Sequence, residues 1–169
     1  MKRAAFFMIF IILAFSGSAF ALGNPDFSGT WTLDTVKSDM GQARPSAPAA
    51  TQKVTLVIRQ TPFVLSITRK VGERSETATE KLDGSESVNK SPSGQDIKST
   101  NRWLGSTLVT NSIMSTGGGT TESTFVRSLS ADGKVMTIDT TMKTPNGNVK
   151  KMKLIYNKQS CKRCEMATT

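Results

Sequence analysis

Across most of this chain, apolar residues alternate with polar ones at a spacing of two. Early in the chain Phe63, Leu65 and Ile67 share one phase, and near its end Leu154 and Tyr156 share another. Alternation with period two indicates strands that bury one face and expose the other. After the first 21 residues no helical spacing persists for three turns. We therefore predict an all-β fold.

Turn residues interrupt this alternation at regular intervals and set the number of strands. Asp-Gly and Asn-Gly are strong hairpin signals, because both central positions of the turn tolerate positive φ. Turn signals occur at 61–62, 71–72, 83–84, 91–94, 105–106, 117–119, 132–133 and 145–147, and a longer Pro- and Ala-rich connection spans 38–52. These nine connections predict an antiparallel up-and-down meander of eight to ten strands, forming a closed or partly open barrel.

The first 21 residues have the composition of an export signal. Lys2 and Arg3 precede an apolar run from 4 to 15, and Ala19-Phe20-Ala21 is a small-x-small cleavage site. We predict a signal peptide over 1–21, a barrel domain over 22–158 and a tail over 159–169. The protein would then be periplasmic or extracellular, with no transmembrane segment after cleavage. A retained anchor is the alternative, but the apolar run is shorter than the roughly 20 residues that span a bilayer.

Large side chains are scarce after the predicted cleavage site. Five of the eight phenylalanines lie within the leader. The aromatic residues that remain are Phe27, Trp31, Phe63, Trp103, Phe125 and Tyr156. A barrel with so few bulky residues is expected to enclose space instead of being packed solid.

Positive charge is concentrated near the C-terminus. The chain carries a formal net charge of +9, and from Lys143 onward there are seven Lys or Arg residues against one acid. Lys150, Lys151, Lys153 and Lys158 could attract an anionic surface or an acidic protein. The alternative is a solvated strand that the lysines keep soluble. Nucleic-acid binding is not expected, since export would remove most such partners.

The segment Phe27-Ser28-Gly29-Thr30-Trp31, on the first predicted strand, resembles the opening of the calycin superfamily, which contains lipocalins and fatty-acid-binding proteins. The segments 103–109 and 125–130 and a last strand ending at Tyr156 extend the resemblance over most of 22–158. The chain is most similar to small secreted lipocalin-like proteins of bacteria. This resemblance implies a calycin-like barrel in which Gly29 and Trp31 are structural residues at the barrel end.

The fatty-acid-binding branch holds a ligand carboxylate with Arg-x-Tyr on its last strand. Here the matching positions are Leu154-Ile155-Tyr156, so the tyrosine is present and the arginine is absent. This departure puts carboxylate capture in doubt. The helical lid of that branch would correspond to 38–52, which has the composition of an irregular connection, so we expect an uncovered barrel mouth.

Two other arginines could take over anion binding. Arg69 is in phase with Leu65 and Ile67, and Arg127 is in phase with Phe125. An arginine inside a barrel requires a partner or an anionic ligand to offset its desolvation. Alternatively, each lies at a strand end and extends its charge into water.

The predicted function is non-enzymatic binding of a small, largely apolar ligand in the barrel. An interaction module that uses the basic last strand is the first alternative, and a small enzyme is the second. The predicted cavity-lining residues, each of which could instead be a core residue, are Leu56, Ile58, Phe63, Leu65, Ile67, Trp103, Phe125, Arg127, Ile138, Met152, Leu154 and Tyr156.

We identify no catalytic constellation, cofactor or metal site in the sequence. The chain contains no histidine, which excludes His-based triads, His proton shuttles and most zinc sites. The glycine run at 117–119 opens no predicted helix and lacks the Lys-Ser/Thr that completes a phosphate-binding loop.

The only two cysteines, Cys161 and Cys164, lie in the predicted tail. Export would place them in an oxidising compartment, so we expect a small disulfide loop. Pairing between chains, half of a shared metal site and an active redox pair are the alternatives.

Overall fold

A computed structural model describes residues 23–41 and 53–160 and contains ten antiparallel strands in a single sheet. The predicted signal peptide, residues 42–52 of the long connection, and Cys161 and Cys164 lie outside these residues. The strands are β1 (Gly29–Leu33), β2 (Val54–Gln60), β3 (Val64–Val71), β4 (Arg74–Lys81), β5 (Ser87–Lys90), β6 (Asp96–Leu104), β7 (Thr107–Thr116), β8 (Gly119–Leu129), β9 (Val135–Lys143) and β10 (Val149–Lys158).

The strand order is that of a meander that forms a nearly closed barrel. Neighbours in sequence pair with each other, except β4 and β5, and β1 also pairs with β10, where Trp31 lies opposite Lys158. Every regular element within the two described ranges is a strand. The predicted all-β meander is therefore confirmed, at the upper end of the predicted strand number. No helix in these ranges is long and apolar enough to cross a membrane.

One seam interrupts the barrel, between β4 and β5 at the two ends of the strand order. Side chains bridge it in place of a backbone ladder. The amide of Asn89 accepts a hydrogen bond from the Thr79 N–H (2.8 Å) and donates one to the Thr79 carbonyl (3.1 Å). The Ser87 hydroxyl accepts a hydrogen bond from the Lys81 N–H (2.8 Å). These bonds satisfy backbone groups that an open edge would leave to water.

The eight predicted short turns all separate the strands that they were predicted to separate. Gly133 (φ 66°) and Gly147 (φ 82°) adopt left-handed conformations in two of them. The prediction that Phe63 faces inward is wrong. The turn after β2 includes Phe63, β3 begins only at Val64, and the Phe63 side chain is 73% exposed.

Large apolar side chains fill the end of the barrel next to the β2–β3, β6–β7 and β8–β9 turns. Trp31 is fully buried, and its Nε1–H donates to the Phe27 carbonyl (2.9 Å). The ring of Trp103 stacks on Phe27 with 6.0 Å between centroids. We call this region the packed end. Its other fully or nearly buried residues include Ile58, Leu65, Leu108 and Met136.

Gly29 has a specific role at the packed end. Its φ is +142°, which side-chain-bearing residues rarely adopt. A Cβ at this position would lie 2.7 Å from Cε of Lys158, whose Nζ stands 5.2 Å from the centre of a Trp31 ring. The glycine therefore leaves room for Lys158 to cross over Trp31.

Candidate functional site

A cavity of about 560 Å³ occupies the end of the barrel opposite the packed end. Every strand except β1 contributes to its wall, and most of the wall surface is apolar. The apolar wall residues include Leu56, Ile67, Ile97, Met114, Phe125, Ile138, Met142, Leu154 and Tyr156. In an up-and-down barrel, inward side chains from both halves of each strand share one interior, and here only one half is filled.

Seven of the twelve predicted lining residues do line this cavity: Leu56, Ile67, Phe125, Arg127, Ile138, Leu154 and Tyr156. Ile58 and Leu65 instead belong to the packed end, and Trp103 lies beside them on Phe27. Their phase is correct, but they lie too close to the filled end of the barrel to reach the cavity.

Met152 is half-buried but lies outside the cavity wall. The register between β10 and β1 begins only at Tyr156, so Met152 lies outside it. Lys153 instead exchanges two backbone hydrogen bonds of 2.8 Å with Asp39, in the segment that follows β1. The prediction that Met152 lines the cavity is therefore wrong.

A buried polar cluster on the cavity wall escaped the sequence analysis. Glu80 is only 7% exposed, and one of its carboxylate oxygens, Oε2, accepts hydrogen bonds from Ser99 and from Asn101 Nδ2 (3.1 Å). The available signal is that Ser99 and Asn101 lie in phase with Trp103, so polar residues occupy inward positions of one strand. Buried polar groups are stable only when hydrogen-bonded, and Glu80 meets this requirement.

Arg127 is also inside the barrel, with 8% of its surface exposed. Its Nη1 donates to Thr110 Oγ1 (2.6 Å), and that hydroxyl donates to Asn101 Oδ1 (2.6 Å). A continuous row of hydrogen bonds thus runs from Glu80 to Arg127, which we call the polar row. The guanidinium carbon lies 5.5 Å from the centre of the Phe125 ring. The strand-end alternative is therefore wrong for Arg127, whereas Arg69 is exposed on the cavity wall.

Burial and nearby charges shift the pKa of Arg127 in opposite directions. Burial lowers the pKa of the guanidinium, and the charges of Glu80 and Tyr156 act in the opposite direction. Glu80 is thus the acidic group that most strongly favours the charged form of Arg127.

Two buried polar atoms on the wall have no hydrogen-bond partner among the described residues. They are Nε of Arg127 and Oγ1 of Thr140. Thr140 lies directly opposite Phe125 in the β8–β9 register, so Arg127 and Thr140 are diagonal neighbours on one face. Native proteins rarely leave such groups unsatisfied, which points to an oxygen atom from water or a ligand at this place.

The pKa of the Tyr156 hydroxyl provides a test of whether this side chain is buried in the cavity wall. Burial raises the pKa of its hydroxyl above 10.0, although the positive charges of Arg69 and Arg127 oppose this shift. A raised pKa means that the stability contributed by the protonated form is complete below about pH 10 and is lost as the pH rises through the folded pKa. We expect the free energy of unfolding to fall more steeply above pH 10 in the wild type than in Tyr156→Phe. Urea unfolding at several alkaline pH values measures this, and parallel curves would show that the hydroxyl is not buried.

The four lysines of the predicted basic surface have different surroundings. Lys151 and Lys153 are exposed, Lys150 is half-buried, and Lys158 lies over Trp31. Asp139 stands opposite Lys153 in the β9–β10 register and partly offsets the positive charge there.

Residues 23–41 and 53–160 contain no group of three or more His, Cys, Asp or Glu side chains placed to hold a metal ion.

No protein-family model and no curated protein sequence matches this chain. Among solved structures it is similar to one described as REP1-NXSQ fatty acid transporter, at a TM-score of 0.59 and 17% identity. The alignment covers 81% of this chain and 98% of that chain. At this identity the similarity shows the fold alone. That barrel fold agrees with the calycin-like architecture, and membership of a particular calycin family stays a prediction.

Proposed function

We propose that this protein is an exported, non-enzymatic binding protein for a small, largely apolar molecule held inside the barrel. The observation that carries this proposal is the mostly apolar cavity of about 560 Å³ at one end of the barrel. Its volume lies within the range of small-molecule sites, roughly 300–1,000 Å³. Export and cleavage after Ala21 rest on the sequence of 1–21.

The structural neighbour supports the same class of function. It is described as a fatty acid transporter, and it has the barrel fold of this chain. The residues that would contact a ligand differ from the fatty-acid-binding pattern, since Leu154 occupies the position of its arginine. In this chain the buried arginine comes from β8 instead, two strands from Tyr156 in sheet order.

Filling the cavity tests the proposal. We expect Leu154→Trp to lower the affinity for a neutral solvatochromic dye such as Nile red at least about ten-fold, because the indole would occupy the ligand volume. Val149→Trp is the matched control, since Val149 is on the same strand but 58% exposed, and it should bind the dye as the wild type does. Fluorescence titration measures both affinities, and urea unfolding verifies that each variant is folded. Undiminished binding by folded Leu154→Trp would refute the proposed site.

A further inference from the structure

The deep wall of the cavity holds one positive and one negative side chain, and the polar row connects them. Arg127 bonds to Thr110, Thr110 to Asn101, and Asn101 to Glu80. Glu80 also accepts a hydrogen bond from Ser99, so its carboxylate is held in place by two donors of β6, on the far side of the seam. The charge of Arg127 is therefore balanced within the protein, without a ligand.

The remaining charges on the wall are also matched. Arg69 and Glu76 stand directly opposite each other in the β3–β4 register. Nζ of Lys90 lies 2.5 Å from Oδ1 of Asp96 in a salt bridge. Together with Arg127 and Glu80, these residues include every Asp, Glu, Lys and Arg of the cavity wall. Among the residues that the structure describes, the cavity wall thus contains no cation without a nearby acid.

We propose that the ligand carries a neutral polar group, a hydroxyl or carbonyl oxygen, and that Glu80 is the residue that disfavours a carboxylate at this position. This inference rests on the proposed function. A carboxylate near Arg127 would bring a second negative charge into the interior that already holds Glu80, and it would also lose its own hydration. A neutral oxygen adds no charge, and it can accept hydrogen bonds from Arg127 Nε and the Thr140 hydroxyl, which have no partner among the described residues.

Ligands of matched length test this preference. Dodecan-1-ol, methyl dodecanoate and dodecanoate compete with Nile red at pH 8, where the carboxylate is ionised. We expect the wild type to bind the alcohol and the ester at least about ten-fold more tightly than dodecanoate. Glu80→Gln removes the charge and keeps the shape. It should tighten dodecanoate about ten-fold and leave dodecan-1-ol within about three-fold.

Two further variants make the test specific. Glu122→Gln is the matched control, because Glu122 is an exposed carboxylate that lies outside the cavity wall, and it should leave the preference unchanged. Thr140→Val keeps the polar row intact and should weaken dodecan-1-ol several-fold without strengthening dodecanoate. This variant keeps the inference testable if Glu80→Gln does not fold.

The outcomes separate the inference from the proposed function. Equal or tighter binding of dodecanoate by the wild type would overturn the inference and leave a cavity-binding protein. An unchanged ligand preference in folded Glu80→Gln would remove Glu80 from the explanation. Failure of the wild type to bind the dye or any of the three ligands would count against the proposed function itself.

Discussion

Replacement of Trp31 by alanine is expected to lower the free energy of unfolding by about 3–5 kcal/mol, the usual range for removing a large aromatic side chain from a core. Trp31 is fully buried, and it packs where β1 meets both β2 and β10. The substitution would open a void in the packed end. It would also leave the Phe27 carbonyl without the hydrogen bond from Trp31 Nε1.

Trp103→Ala is the matched control for this experiment. Trp103 also packs at this end of the barrel, where its ring stacks on Phe27, but it is only half-buried. Its removal should therefore cost clearly less than removal of Trp31. Urea unfolding of both variants, followed by far-UV circular dichroism, measures the two losses. Equal losses would mean that Trp31 is not the main stabilising residue of the packed end.

The sequence was sufficient to predict the fold because its two determinants are local. Period-two alternation identifies which face of a strand is buried, and the turn residues determine where each strand stops. No long-range information was needed to predict a meander of eight to ten strands. Phe63 is the exception to this local pattern. Its phase matched that of Leu65, but the turn extends one residue further than Thr61-Pro62 indicates.

The position of the cavity could be predicted only in part. Alternation determines the face of a side chain but not its height along the barrel, and height depends on the register between strands. Ile58 and Leu56 share one face of β2, yet Ile58 is in the packed end and Leu56 lines the cavity. The sequence carries no local signal for this difference.

The polar row could not be predicted because it depends on the registers between strands and on the approach of the two ends of the sheet. Asn101, Thr110 and Arg127 lie on the successive strands β6, β7 and β8, and the near-closure of the barrel brings Glu80 of β4 to them. Each of these polar residues, considered alone, could equally lie at a strand end or on a solvent-exposed face of the sheet. Their common phase with apolar neighbours becomes informative once the registers are known.

The seam explains why the acid of this row can be in β4. Within residues 23–41 and 53–160, β4 has no backbone partner strand on its seam side, so side chains from β5 and β6 can approach it directly. Ser99 and Asn101 of β6 reach Glu80 there. Asn101 also donates to the Lys81 carbonyl (3.0 Å), so one side chain both closes the seam and holds the carboxylate. Barrel closure and the charge balance of the cavity therefore depend on the same contacts.

Replacement of Arg127 by methionine is expected to lower the free energy of unfolding by about 3–5 kcal/mol, because it would leave Glu80 buried without its opposite charge. The double variant Glu80→Gln/Arg127→Met should recover most of this loss, since both charges are then replaced by neutral groups of similar volume. Urea unfolding of the wild type, both single variants and the double variant completes a double-mutant cycle.

Arg69→Met is the control for this cycle, and it should change the free energy of unfolding by no more than about 0.5 kcal/mol because Arg69 is exposed. If the double variant is as unstable as the single losses added together, the two charges do not interact through the polar row. A positive coupling would show that the protein balances this charge before any ligand enters, which is the condition for selecting a neutral ligand.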